Sequence, residues 1–502
     1  MISRLSSKLF TMYMNSIALP RLIQGGMGIG VSNWRLASAV SRLGHLGVVS
    51  ATALDVVLAR RLQQGDPEGH MRRALGHFPK QEIIAPILDR HFVHHDAAVK
   101  GGIRPIPMAR LDMPKDVQDL LIVANFAEVF LARENHSGMV GVNLMEKIQL
   151  PTLAVLYGVM LAGADYVLMG AGIPNHIPAV LDAFAAGKPA SLKVDVAGAA
   201  AGSTHTITFD PQEFWQGPPP LLKRPHFMPI VSSATLALNL TKKANGKITG
   251  FIIEGSSAGG HNAPPRGQMQ LSEKGEPVYG VRDVPDLERF RDLGYPFWLA
   301  GSYWGPGKLE EAIAQGATGI QVGTPFALCE ESGVDPELKQ AVLRQIRDGT
   351  IEVFTDPLAS PTGFPFKVVQ LEGSASDSCE DTAHGHERPC DIGLLRQAYL
   401  KPDGTVGYRC ASETASDYVR KGGKEENTKG RKCICNGLLA TVGLGRTNRS
   451  GEAEPPLVTA GDSLSYLKYF LRPGALSYTA ADVIQILTSS TPEVATSGQE
   501  RS

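Results

Sequence analysis

The stretch "FWLAGSYWGPGKLEEAI" at residues 297–313 is followed at 319–332 by "GIQVGTPFALCEES". Each starts with a short apolar run, reaches a glycine and a hydroxyl residue (Gly301-Ser302, then Gly323-Thr324), and passes toward a helical pattern. Two such units in succession read as parallel strands joined by a crossover helix. In an eight-stranded α/β barrel, the loops after strands seven and eight meet a helix N-terminus and form a phosphate site from backbone N–H groups. The pair therefore predicts both a barrel and a phosphate-bearing ligand.

The same alternation extends back along the chain. Strands are expected at Leu22–Gly26, Gly47–Ser50, Val140–Leu144, Tyr166–Met169, Met228–Ser232, Gly250–Ile253, Phe297–Ala300 and Gly319–Val322. Helices are expected at Trp34–Leu43, Thr152–Ala162, Ile177–Ala186, Ala234–Ala244, Lys308–Gln315 and Asp335–Arg347. Eight strands with interleaved helices give an α/β fold, a (β/α)8 barrel of the TIM type. A doubly wound open sheet is the alternative, but no G-x-G-x-x-G with a downstream ribose-binding acid is present. Two stretches break the rhythm. Residues 54–138 are too long for one connection and read as a helical excursion. Residues 188–227 read as an inserted hairpin and proline-rich loop, either a lid for the active face or a surface ornament. The expected division is an N-terminal extension at 1–19, the barrel at 20–370 and a polar linker at 371–388. A small cysteine-containing region at 389–445 and a helical and polar tail at 446–502 follow.

Bulk composition fits an ordinary globular protein, with 43% hydrophobic and 20% charged residues. The net charge of -1 gives no broad electrostatic reason to bind nucleic acid or an anionic membrane. No apolar run reaches the roughly 18–20 residues of a membrane-spanning helix. The opening "MISRLSSKLFTMYMNS" is basic and free of acids. It reads as a loose extension or an early start rather than an organellar presequence. A cytoplasmic location and reduced cysteines are expected.

Two further stretches carry chemistry. In "LIQGGMGIGVSN" (22–33) a strand runs into Gly25-Gly26-Met27, and Ser32 or Asn33 opens a helix. Glycines there let backbone amides approach a flat ligand that a Cβ would push away. In "FIIEGSSAGGHNAPPRG" (251–267) a buried strand ends at Glu254, and only small residues separate it from His261. Ala258, Gly259 and Gly260 leave room for a planar group, Glu254 can accept a hydrogen bond from it, and His261 can handle a proton. The plainer alternative has His261 capping a turn and Glu254 paired with Arg266.

"QGGMG", "GVNL", "EGSSAGGH", "LAGS" and "GIQVGTPFALCEES" occur in an order and spacing that resembles the nitronate monooxygenase (2-nitropropane dioxygenase-like) family, related to flavin-dependent enoyl-ACP reductases. The resemblance covers about 20–370 and implies an FMN-binding TIM barrel. It implies that Gly25, Gly26, Met27 and Asn143 touch the isoalloxazine ring or its ribityl chain. It further implies that Glu254, Ala258, Gly259 and Gly260 line the flavin, and that Gly301, Ser302, Gly323 and Thr324 hold its phosphate. The family places a catalytic-base histidine after the fourth strand, where this chain has Gly170; His176 follows six residues later. Ser302 also stands where a second glycine is common. His261 and His176 are accordingly the expected catalytic residues.

The tail carries Cys390, Cys410, Cys433 and Cys435. Four thiols in a glycine-rich, core-poor segment predict a metal site, zinc or an iron–sulfur cluster. Cys379 with His384 and His386 is a weaker second set. The leading expectation is an FMN-dependent oxidoreductase that oxidises a small nitronate-like carbanion with O2. The alternatives are an NAD(P)H-dependent flavin reductase of enoyl thioesters or quinones, and a barrel that binds FMN or another phosphate ligand without catalysis. The expected partner is a small-molecule substrate, with NAD(P)H as electron donor in the reductase version. Neither nucleic acid nor membrane is expected, and oligomeric state is left open.

Overall fold

A computed structural model describes residues 19–94, 103–200, 202–376, 390–447, 452–471 and 474–489. The expected N-terminal extension up to residue 18, the set Cys379, His384 and His386, and the last dozen residues lie outside the described residues, as does most of the expected linker.

Eight parallel strands form the centre: β1 (Leu22–Gln24), β2 (Gly47–Ser50), β3 (Val140–Met145) and β4 (Tyr166–Gly170), then β8 (His226–Val231), β9 (Phe251–Glu254), β10 (Phe297–Ala300) and β11 (Gly319–Val322). They are ordered β1-β11-β10-β9-β8-β4-β3-β2. A parallel bridge between Ile23 and Leu46 joins the first and last members and closes the ring. All eight expected strands form, with ends displaced by at most two residues. Those in the quoted pair match residue for residue.

The alternation of side chains along each strand divides the core into two. Ile23, Val48, Leu168, Met228, Ile252 and Trp298 fill the barrel interior. Their neighbours Leu22, Val49, Val167, Phe227, Ile253 and Leu299 face the surrounding helices. Trp298 Nε1–H donates to the Pro20 carbonyl over 2.6 Å, so the bulkiest interior side chain is satisfied at the floor of the barrel. Gly141 admits this packing, since a Cβ there would lie 3.1 Å from that of Tyr166.

The 54–138 stretch is helical as expected, and its longest member, Lys115–Arg133, lies against helix Thr152–Leu161. The 188–227 insertion contains the antiparallel pair β5 (Ala190–Val194) and β7 (His205–Phe209), with short β6 (Val196–Ala197) between them. After the barrel come the hairpin β12 (Glu352–Asp356) and β13 (Phe366–Gln370), then β14 (Gln397–Leu400) and β15 (Val406–Arg409). β14 pairs with β15 and with β6, tying the cysteine-containing region to the insertion. Leu457, Leu467, Tyr478 and Leu487 are buried, so the described part of the tail is packed chain rather than a polar fringe. No helix among the described residues is long and apolar enough to cross a membrane.

Candidate functional site

A cavity of about 250 Å³ opens at the C-terminal end of the barrel. Every strand end contributes to it: Gly25 and Gly26 after β1, Ser50 from β2, Asn143 from β3, Gly170 from β4, Ile230 from β8, Glu254 from β9, Ala300 from β10 and Gln321 from β11. Strands in one ring, read in one direction, deliver their last residues to one rim, and ligands bind there in barrels of this type.

The β1 loop is held from within. Ser32 Oγ donates to the Gly25 carbonyl and accepts from Met27 N–H, both at 3.0 Å. Gln24 Oε1 accepts from Val48 N–H at 2.9 Å, which fixes the loop to β2. Asn33, not Ser32, caps helix Trp34–Arg42, its Oδ1 accepting from Leu36 N–H. Gly26 is required sterically: a Cβ would fall 2.3 Å from that of Asn143. Gly25 is under no such constraint, with its nearest neighbours at 3.5 Å. The loop and Asn143 therefore form a flat, closely approached wall.

The opposite wall is the loop after β9. β13 holds it through Asn262 N–H to the Pro365 carbonyl at 2.9 Å and Lys367 N–H to the Gly260 carbonyl at 3.0 Å. A Cβ at Gly259 would meet the Ala460 backbone at 2.8 Å. Glu254 lines the cavity with no charged or hydrogen-bonding partner among the described residues, and burial lifts its carboxyl to about 7. Arg266 is exposed and engages Asp283 and the Ser232 carbonyl, so the alternative pairing with Glu254 does not form. His261 lines the same cavity, with Nε2 2.7 Å from Ser360 Oγ and its ring edge-on to Phe366 at 4.8 Å. Burial, aided by the Lys147 charge, pushes its imidazole down to about 4, so it is neutral at ordinary pH.

The quoted pair of strands meets at the far end. Gly301 (φ 84°) and Ser302 (φ 60°) are both left-handed, a conformation glycine takes without strain and serine does not. The backbone N–H groups of Gly301, Ser302, Gly323 and Thr324 have no acceptor among the described residues. Four such donors lining one cavity suit an anionic group of phosphate type. Gln321 Oε1 is also buried without a partner at this end.

Three expectations need correction. His176 is exposed at the start of helix Ile177–Ala185 and lies outside the cavity lining, because the turn after β4 carries it to the surface. The insertion at 188–227 packs Phe209 and Phe214 on Tyr157, at the side of the barrel; it contributes nothing to this cavity, though Val194 and Asp195 line the neighbouring one. The cover comes instead from Leu394 and Leu395, from helix Ile434–Thr441, and from Val458–Gly461.

The third concerns the metal. Cys390, Cys410, Cys433 and Cys435 fall in one neighbourhood, but no group of three or more His, Cys, Asp or Glu among the described residues is arranged to hold a metal ion. Cys435 turns into the barrel cavity, while Cys433 Sγ accepts from Asn436 Nδ2 at 3.3 Å. Burial raises all four thiols, Cys433 to about 11 and Cys410 to about 12, and for Cys410, Cys433 and Cys435 the neighbouring thiols add to the rise.

Sequence reading missed Ser360, which orients His261, and the Thr459–Ser463 segment. That segment crosses the glycine loops: Gly260 N–H donates to Thr459 Oγ1, Gly461 N–H to Thr324 Oγ1, and Asp462 N–H to the Ser257 carbonyl. Its only sequence signal is a run of small residues, "TAGDS", without periodicity.

A closed ring of eight parallel strands, with a glycine-walled cavity at its C-terminal rim, makes this a (β/α)8 barrel. The nitronate monooxygenase family model matches residues 225–359, from β8 through the last barrel strand to Ala359. Over this segment the chain is similar to that family, the one its motifs resemble. A probable nitronate monooxygenase of Bacillus subtilis (strain 168) is 34% identical over 93 residues, 18% of this chain and 25% of that protein. The (3aS,4S,5R,7aS)-5-hydroxy-7a-methyl-1-oxo-octahydro-1H-indene-4-carboxyl-CoA dehydrogenase of Rhodococcus jostii (strain RHA1) is 27% identical over 144 residues, 28% of this chain and 35% of that protein. The chain thus spans about a third or less of the length of these relatives. Among solved structures, FabK from Thermotoga maritima is similar over 93% of this chain and 91% of that chain, at 15% identity and a TM-score of 0.44.

Proposed function

We propose that this chain is an FMN-dependent oxidoreductase of nitronate monooxygenase type, oxidising a small nitronate-like carbanion with O2. One observation carries the reading: a single cavity joins a sterically obligatory glycine wall at Gly26 to four unpaired backbone donors after β10 and β11. That combination fits a flat ring bearing a phosphate. Gly25, Gly26, Met27 and Asn143 would face the ring, with Ala258, Gly259 and Gly260 across from them. Gly301, Ser302, Gly323 and Thr324 would take the phosphate. Bound there, FMN supplies an electron sink for a carbanion.

The chain's own residues divide the remaining work. Glu254, with a carboxyl near 7 and no partner, is matched to moving a proton at neutral pH. His261, held neutral, is a poor base and a good hydrogen-bonding clamp, oriented by Ser360. Lys147 makes no ion pair among the described residues and lies close enough to depress His261, so it favours an anionic substrate.

Gly170 favours a second reading, an NAD(P)H-dependent reductase of enoyl thioesters or quinones. A Cβ there would press on Ile230 at 3.1 Å, and no base stands at the end of β4. Anaerobic addition of propyl-2-nitronate or of NADPH to the FMN-loaded protein separates the two. Bleaching by the nitronate supports the first reading, bleaching by NADPH the second, and bleaching by neither supports ligand binding without catalysis.

A further inference from the structure

A second cavity of about 290 Å³ lies beside the first. The two share Thr52, Leu144, Met145, Ile148, Leu394 and Leu395, so they are contiguous compartments of one site. Much of its wall is apolar, including Leu121, Val155 and Met108. Polar side chains interrupt that surface, among them Gln149, Asp195 and Arg396, and two from the helical excursion stand out as acceptors without a side-chain donor. Asn125, fully buried in helix Lys115–Arg133, spends its Nδ2 on the Leu121 carbonyl at 2.8 Å, which leaves Oδ1 without a partner. Asp55, in the first turn of helix Leu54–Gln63, is 9% exposed and meets only backbone N–H groups.

Both groups are acceptors, and neither is offered a side-chain donor by the protein. A buried acceptor left unpaired costs about 1–3 kcal/mol, so the compartment is complementary to a ligand that brings its own donor. Lys147 lines the same cavity at its exposed side, its ammonium 4.8 Å over the Phe364 ring, and makes no close ion pair among the described residues.

We infer that this second cavity is the substrate compartment, and that it selects molecules with an apolar body, an anionic end near Lys147 and a distal hydroxyl or amide donor at Asn125 and Asp55. The inference rests on the reading above only in placing the reacting end in the first cavity. The ligand class follows from the second cavity alone.

The test is calorimetric titration of the purified full chain with hexanoate and with 6-hydroxyhexanoate, which differ only in the distal donor. The hydroxylated acid is expected to bind about tenfold tighter, the equivalent of one well-made hydrogen bond. Asn125→Leu should abolish the preference for the hydroxylated acid. Asp55→Asn, which keeps the side-chain shape, should reduce the preference and serves if the first variant does not fold. Equal affinities, no binding of either acid, or a preference that survives both substitutions would overturn the inference. Because heat rather than turnover is read, a protein that takes up no FMN yet discriminates the two acids would defeat the flavin reading alone.

Discussion

The backbone N–H of Gly461 donates to the hydroxyl of Thr324 over 2.9 Å, joining the C-terminal segment to the loop that ends the last barrel strand. Beside this contact, Ser463 Oγ meets Ser302 Oγ at 2.9 Å, and Asp462 pairs with buried Lys367. The proposed phosphate cradle is therefore strapped by residues far away in sequence. Thr324→Val should cost about 1 kcal/mol in urea unfolding. It should also speed FMN release, followed by the return of flavin fluorescence. Thr324→Ser should behave as the parent in both.

Neighbouring glycines should respond differently to one methyl group. Gly26→Ala forces a contact of 2.3 Å on Asn143, against 3.5 Å for Gly25→Ala, and neither position has a left-handed backbone. Gly26→Ala is expected to cost about 1–3 kcal/mol and to weaken FMN binding at least tenfold. Gly25→Ala should be close to neutral. Thermal melting and flavin titration of the two variants side by side check this.

Glu254 makes stability pH-dependent in a stated direction. Burial lifts its carboxyl from 4.5 to about 7, so the folded protein holds a proton that the unfolded chain has lost across that window. Stability therefore falls as pH rises from 4.5 to 7, and the full penalty stands above 7. Glu254→Gln should match the parent near pH 4 and exceed it at pH 8, by at most about 3 kcal/mol. Denaturant melts of flavin-free protein at the two pH values give the comparison. If Glu254 moves the proton, kcat/KM bends near pH 7 in the parent and not in the variant.

His261 works in the opposite sense. Its folded value of about 4 lies below 6.5, so the unfolded chain binds a proton that the folded one refuses. Stability is whole above pH 6.5 and is lost as pH falls toward 4. His261→Asn should flatten that acid limb, which stability curves between pH 4 and 7 would reveal.

The cysteine-containing region is expected to hold no stoichiometric zinc or iron, since no group of three or more His, Cys, Asp or Glu among the described residues is arranged to hold a metal ion. Cys410 and Cys435 should react with a thiol reagent only after unfolding. Metal analysis and thiol counts before and after denaturant check both.

Why the barrel was readable and its cover was not comes down to locality. Phe297–Ala300 and Gly319–Val322 are short apolar runs ended by glycine, and strand identity, helix period and turn chemistry all lie within a few residues of one another. Helix ends such as Leu43 and Gln315 were off by one residue, within ordinary fraying. His261 could be seen because glycines surround it, yet its orientation depends on Ser360 and Phe366, some hundred positions onward. The Cys390–Cys435 thiols looked like ligands because spacing carries no orientation, and Cys435 turns toward the barrel. Thr459–Ser463 gave no signal because its bonds are backbone contacts to Ser257 and Gly260 and hydroxyl contacts to Ser302 and Thr324, which any small residues could present.

The most direct test of the central claim is the visible spectrum of the purified protein, before and after addition of FMN and removal of the excess. The account predicts a flavin spectrum retained at about one FMN per chain, lost together with tight binding in Gly26→Ala and preserved in Gly25→Ala. A colourless protein that retains no FMN after loading would contradict it.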